Sequence, residues 1–452
     1  MSAGLLGGTG WCFGADGADD LGVALRHFLG SLEVKPWLLG LGEPMHREEE
    51  FPLLRNRAFR HLVEREGYLS VAIESDCLAA LTVDAHVARG EGSFDAVMES
   101  GFSHGFGGSE ANRELVVWMR EHNRNRAPED KLRFYGFDVP IEMTGAASPR
   151  QALTALHNYL ATHLEAALLP CEPETIEVVV GDDGRWTDPA AAMDPSRSVG
   201  ASREAGELRL VADDLGALLT AQSPRLISAT SQEDWWRACL HGRTAAGLLR
   251  YHTAMAGTSG SRAAQISRLM GRRDAMMYAN LRAIAAREAR RGPTLVFAHN
   301  RHLQKDRSEW LLPVGWGGLE GETVSWWSAG AITTAQMGDR YALLAAALGS
   351  APEQGLGVPN PDTLEGALYT VVEDRCIFDS KRLAETVRGM SPKLTPRTDA
   401  STNHGYFAVD PDRLDGTDGI VFVKDIPSPP PSRLPIAADK GSSLPRPVID
   451  FG

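Results

Sequence analysis

The chain has 452 residues, with 46 Lys and Arg against 59 Asp and Glu, for a net charge of −13. A make-up of 43% hydrophobic and 23% charged residues is that of an ordinary folded protein, long enough for one elaborated domain or two. The acidic excess argues against a nucleic-acid partner, which needs a basic footprint, and against adhesion to an acidic membrane surface.

Met1–Asp20 is Gly-rich with no basic residue before Arg26, so it does not read as a signal peptide. No apolar stretch reaches the ~20 residues of a membrane helix. The five cysteines, Cys12, Cys77, Cys171, Cys239 and Cys376, are scattered and form no C-x-x-C pair. They suggest neither a disulfide framework nor a zinc knuckle, and a reducing, cytoplasmic setting is expected.

Five short apolar runs then end alike. Trp37–Gly42 runs into Glu43, and Ser70–Ile73 into Glu74 and Asp76. Leu132–Phe137 runs into Asp138, Thr294–Ala298 into His299 and Asn300, and Gly419–Val423 into Lys424 and Asp425. Near-continuous apolar runs separated by helical stretches predict an α/β fold with a mainly parallel central sheet flanked by helices. Between Glu48 and Glu66, Phe51, Leu54, Ala58 and Leu62 recur at helical spacing, and Glu110–Arg126 repeats the pattern with Leu115, Trp118 and Met119. Residues 145–291 read as a large helical insertion in a catalytic domain spanning 1–425. Residues 426–452 form a Pro- and Ser-rich tail with little to bury.

Ligands of open α/β sheets bind at the carboxyl ends of the strands, which here are expected to gather Glu43, His46, Glu74, Asp76, Asp138 and His299 into one cleft. Gly42-Glu43-Pro44-Met45-His46 places a carboxylate and an imidazole on one tight turn, where the carboxylate orients the ring and strengthens it as a base. Arg55 borders the buried face of the following helix and needs an acidic partner, from which it offers a donor to developing negative charge. His299-Asn300-Arg301-His302 carries two histidines three apart. A single metal on Glu43, His46, Glu74 and His299 is a minor alternative, because no full ligand spacing is evident, and no metal or other cofactor is expected. Most arginines of the 262–291 stretch read as a solvated face, with Arg273 beside Asp274 a candidate to point inward.

Gly101-Phe102-Ser103-His104-Gly105 is a literal G-x-S-x-G, and Asp138 and His299 follow it in triad order. A nucleophile elbow needs a buried strand before it, whereas Ser93–Ser100 reads as a helix end. Ser103 therefore stands as the alternative nucleophile. His104 and Phe106 are expected to line the cleft.

Gly-Glu-x-x-His at Gly42–His46, the helix carrying Arg55, Val-Ala-Ile-Glu at Val71–Glu74, Trp118-Met119-Arg120, Tyr135-Gly136-Phe137-Asp138, Ala298-His299-Asn300 and Ile420-Val421-Phe422 together resemble the erythromycin esterase family, in order from about Leu39 to Asp425. The resemblance implies an α/β core with helical additions and a deep cleft. It also implies hydrolysis of a macrolide lactone without a covalent serine intermediate, with His46 as general base and Glu43, Glu74, Arg55 and His299 in supporting roles. Arg47, Ser75-Asp76-Cys77, Ser103-His104-Gly105 and Ala279 depart from the family's pattern, all on the presumed substrate-facing surface.

The expected activity is metal-independent hydrolysis of an ester or macrolactone-like natural product. His46, Glu43, Glu74, Arg55 and His299 are the catalytic candidates, and Asp76, His104, Phe106, Asp138, Asn300, His302 and Arg273 the substrate-binding ones. A small molecule is the expected partner, with no nucleic acid and no membrane. The alternatives are non-hydrolytic dehydration or cyclisation at the same acid/base site, the Ser103 hydrolase, and a non-catalytic small-molecule binding protein.

Overall fold

The computed structural model describes residues 6–14, 18–142, 145–313, 318–398 and 405–426. The expected tail therefore lies, from residue 427 on, outside the described residues. Twelve strands follow in chain order among them: β1 (Gly10–Phe13), β2 (Leu38–Glu43), β3 (Ser70–Asp76), β4 (Arg133–Asp138), β5 (Ile141–Glu142), β6 (Gly145–Ala146), β7 (Thr294–His299), β8 (Arg307–Leu311), β9 (Thr323–Trp327), β10 (Tyr341–Ser350), β11 (Arg375–Asp379) and β12 (Gly419–Asp425). Eight form the main sheet in the order β1-β11-β12-β10-β2-β7-β3-β4, while β5 with β6 and β8 with β9 make two small hairpins. The protein is thus a mixed α/β fold around a mostly parallel sheet with many helices, as its strand and helix patterns predict.

The chain divides into two compact units, Met1–Val71 with Arg291–Asp306 and Thr333–Gly452, and Ala72–Arg290 with Arg307–Ile332. In the first unit β12, β10, β2 and β7 run parallel, and every residue of β2, β7 and β10 is buried. Burial on both faces explains why β2 and β7 read as continuous apolar runs rather than alternating ones. The helix Glu50–Arg65 buries Phe51, Leu54, Ala58 and Leu62, the residues its spacing singles out, together with Arg55, Asn56 and Phe59.

Beyond β12 the sheet turns antiparallel, with β11 and then β1 at the edge. This register sets Cys12 opposite Cys376, and the two are joined in a disulfide. The reading that the scattered cysteines suggest no disulfide pairing is corrected here. Partners 364 residues apart are made neighbours only by strand pairing, which no local spacing encodes. Cys77, Cys171 and Cys239 are free thiols.

In the second unit the helices Arg150–His163, Pro173–Val180, Arg203–Ala221, Ser223–Ala229, Gln232–Met255 and Arg262–Glu288 follow one another. The turn before the last of these is capped by Ser261, whose side chain accepts from Ala264 N. Val139, Ile141, Leu248, Tyr251, Met255 and Leu269 pack into one apolar cluster of this unit. Among the described residues, no helix is long and apolar enough to cross a membrane.

Candidate active site

The turn after β2 brings Glu43 and His46 together. His46 Nδ1 lies 2.6 Å from Glu43 Oε1, and their side chains are 12% and 5% exposed. An ionised carboxylate only accepts, so Nδ1 carries the proton and donates it to Glu43, and any base function falls to Nε2. The turn is anchored by Phe407 N donating to Pro44 O. Arg47, directly after His46, sits in the left-handed region at φ 62, where a side chain is strained.

His299 is the register partner of Glu43 at the end of β7, and its ring stands edge-on to His46 with centroids 5.1 Å apart. Its Nδ1 accepts from Arg301 N, capping the short helix Asn300–Leu303, and its Nε2 donates to Gly405 O. Phe407 packs on its other side at 5.1 Å. Arg55 is 1% exposed, donates from Nε and Nη2 to Asn56 Oδ1, and stacks over the Phe297 ring. Asn300 clamps the sheet rather than presenting an open amide. Its Nδ2 donates to Ala346 O and its Oδ1 accepts from Ala346 N, tying the end of β7 to β10. His302 is buried in the same short helix.

A second polar group lies within the other unit, at the ends of β3 and β4. Arg273, from the helix Arg262–Glu288, grips Asp138 in a fork, Nε to Oδ1 at 3.1 Å and Nη2 to Oδ2 at 2.6 Å, and reaches Glu74 at 3.4 Å. It does point inward, as its place beside Asp274 suggests. His104 bridges two carboxylates, Nε2 to Asp138 at 3.0 Å and Nδ1 to Glu142 at 3.3 Å, while its own N–H donates to Glu142. The Phe106 ring packs against it. Burial opposes the His104 charge, but the hydrogen bonds to Asp138 and Glu142 outweigh it and raise the imidazole to about 9. Burial likewise works against ionised Asp138, yet the Arg273 charge and the His104 hydrogen bond hold its carboxyl well below the usual range. Asp76 behaves oppositely. Burial lifts it to about 6, against the hydrogen bonds that Leu78 N and Ala79 N donate to its Oδ1.

Ser103 follows the helix Phe94–Ser100, not a strand, and its hydroxyl accepts from Asp76 N at 2.8 Å and meets Ser75 Oγ at 3.4 Å. Among the described residues no imidazole bonds that hydroxyl, so the arrangement of a nucleophile elbow with its base is not formed there. No group of three or more His, Cys, Asp or Glu among the described residues is arranged to hold a metal ion.

Sequence reasoning missed Gly405, Phe407 and Glu142. Gly405 and Phe407 lie more than a hundred residues from the His299 they hold, in a stretch without apolar periodicity. Glu142 is an ordinary exposed glutamate except for its contact with His104.

The geometry defines an α/β protein whose strand ends carry a carboxylate-held histidine. A model of the family Erythromycin esterase matches residues 63–426, and the chain belongs to that family. It is similar to Erythromycin esterase type II of Escherichia coli, 28% identical over 153 residues, a match that spans 34% of this chain and 33% of that relative. Solved structures of like fold include a Bacillus cereus protein, at TM-score 0.64 and 18% identity over 93% of this chain and 96% of that one. A succinoglycan biosynthesis protein matches at TM-score 0.59 and 16% identity, covering 94% and 96% of the two chains. A mutant of the erythromycin esterase EreC in its open conformation matches at 0.59 and 16%, covering 92% and 96%.

Proposed function

We propose that this protein is an esterase-like hydrolase that opens an ester or macrolactone-like natural product by metal-independent attack of water. His46 Nε2 takes the proton from the attacking water while Glu43 fixes the ring through Nδ1 and stabilises the imidazolium that forms. Arg55 supplies the positive charge that meets the developing oxyanion. Both nitrogens of His299 are engaged by the backbone, which favours a positioning role, holding the His46 ring edge-on, over a role as a second electrophile. Glu74 with Arg273, and His104, Phe106, Asp138 and Asp76, are assigned to substrate binding or support, and His302 to support. The observation that carries the reading is the 2.6 Å Glu43–His46 pair on the Gly-Glu-x-x-His turn, together with membership of the family.

The test is turnover of macrolide lactones in oxygen-18 water, read by mass spectrometry. Hydrolysis puts the label into the product carboxylate, whereas dehydration or cyclisation at the same site leaves it in solvent. His46→Ala is expected to lose roughly 10²–10⁴-fold in kcat/KM, the usual contribution of a general base. A chelator is expected to leave the rate unchanged. Near-full turnover by His46→Ala, or a rate abolished by Ser103→Ala with Ser103 labelled by a fluorophosphonate, overturns the assignment.

A further inference from the structure

In the second unit, a cavity of about 210 Å³ opens between the helices Gln232–Met255 and Arg262–Glu288. Arg243 and Arg250 come from the first helix and Arg272 from the second, facing Val139, Met276 and Asn280, and among the described residues no acidic one lines the space. Arg243 and Arg250 are seven residues apart, two turns along one helix face. None of the three arginines forms an ion pair among the described residues, and Arg243 keeps Nε and Nη2 buried with no hydrogen-bond partner. The same Arg243 and Arg250 border a wider groove against the helix Arg203–Ala221, where Asp213 is the one acid among the described residues and pairs with neither.

An unpaired buried guanidinium is costly, and in a chain of net charge −13 an acidic neighbour is easily supplied. The buried guanidinium nitrogens of Arg243, with the exposed Arg250 and Arg272 lining the same space, make a receptor for an anion brought from outside. The space exceeds the roughly 150 Å³ of an engineered cavity that takes up benzene. One wall is apolar through Val139 and Met276, and the guanidinium fork matches the oxygens of a phosphate. We infer that this cavity binds a small organic phosphate monoester, its phosphoryl group on Arg243, Arg250 and Arg272 and its apolar body against Val139 and Met276. The inference does not depend on the hydrolytic reading.

Phenyl phosphate titrated calorimetrically into the full chain is expected to bind saturably, to weaken as salt is raised, and to bind more tightly than benzoate or inorganic phosphate. Arg243→Met is expected to weaken binding about tenfold or more, as loss of a charge-assisted pair implies. It should also leave the ligand-free thermal midpoint unchanged or higher, because it removes an uncompensated buried charge. Arg250→Met and Arg272→Met should each weaken binding, and His46→Ala should not. Absence of saturable binding at millimolar phenyl phosphate, equal affinity in Arg243→Met, or loss in His46→Ala overturns the site. Benzoate binding as tightly as phenyl phosphate overturns its phosphoryl preference.

Discussion

The bridge from Asp138 through His104 to Glu142 makes a sharp prediction about pH. In the folded chain His104 is held at about 9, against an ordinary 6.5. Holding the ring at about 9 rather than 6.5 corresponds, at ~1.36 kcal/mol for each tenfold change in proton affinity, to about 3 kcal/mol of stabilisation. Because the folded value is the higher one, the stabilisation is complete below pH 6.5 and drains away as pH rises through 9. At ~2–4 °C per kcal/mol for a unit of 150–250 residues, the thermal midpoint should fall by on the order of 10 °C between pH 6.5 and 9.5. His104→Gln should lack that portion of the fall and start lower at pH 6.5. The ring is followed directly by its Cε1 proton resonance, which should titrate near 9 in the parent and drop in Asp138→Asn. A ring that titrates near 6.5, or the same pH dependence in the parent and His104→Gln, would refute the reasoning.

Asp76 carries the opposite sign. Its folded carboxyl is lifted from 3.8 to about 6, so folding is penalised progressively as pH rises across that window, by up to about 3 kcal/mol above it. Asp76→Asn keeps an acceptor for Leu78 N and Ala79 N, and should raise the thermal midpoint at pH 8 while changing little below pH 4. An equal shift at both pH values counts against burial as the cause. Gly42→Ala would drive a Cβ into Asn300 Oδ1 and break the clamp onto Ala346. Two lost hydrogen bonds plus overpacking cost about 2–4 kcal/mol, measurable by chemical denaturation, and a normal midpoint with normal turnover would show the contact to be unimportant.

Much of the site was legible along the chain. Glu43 and His46 are three residues apart on a turn that Pro44 keeps short, so their pairing is a local matter. Continuous apolar runs marked β2, β4, β7 and β12 because strands buried on both faces carry no polar alternation. The helical pattern before Gly101–Gly105 matches the helix Phe94–Ser100, which stands where a nucleophile elbow needs a strand.

What escaped was decided by packing. Tyr341–Ser350, with its Ala- and Leu-rich run, has residues that favour helices, yet it is the longest strand, since its place between β12 and β2 buries it on both faces. The antiparallel edge, and with it the Cys12–Cys376 bond, arises from strand order, which joins residues 364 apart. The backbone bonds at both His299 nitrogens, the twin carboxylates on His104 and the three arginines around one cavity are likewise meetings of distant segments. Local chemistry writes itself into short spacings, and a charge's environment is fixed only when remote segments close around it.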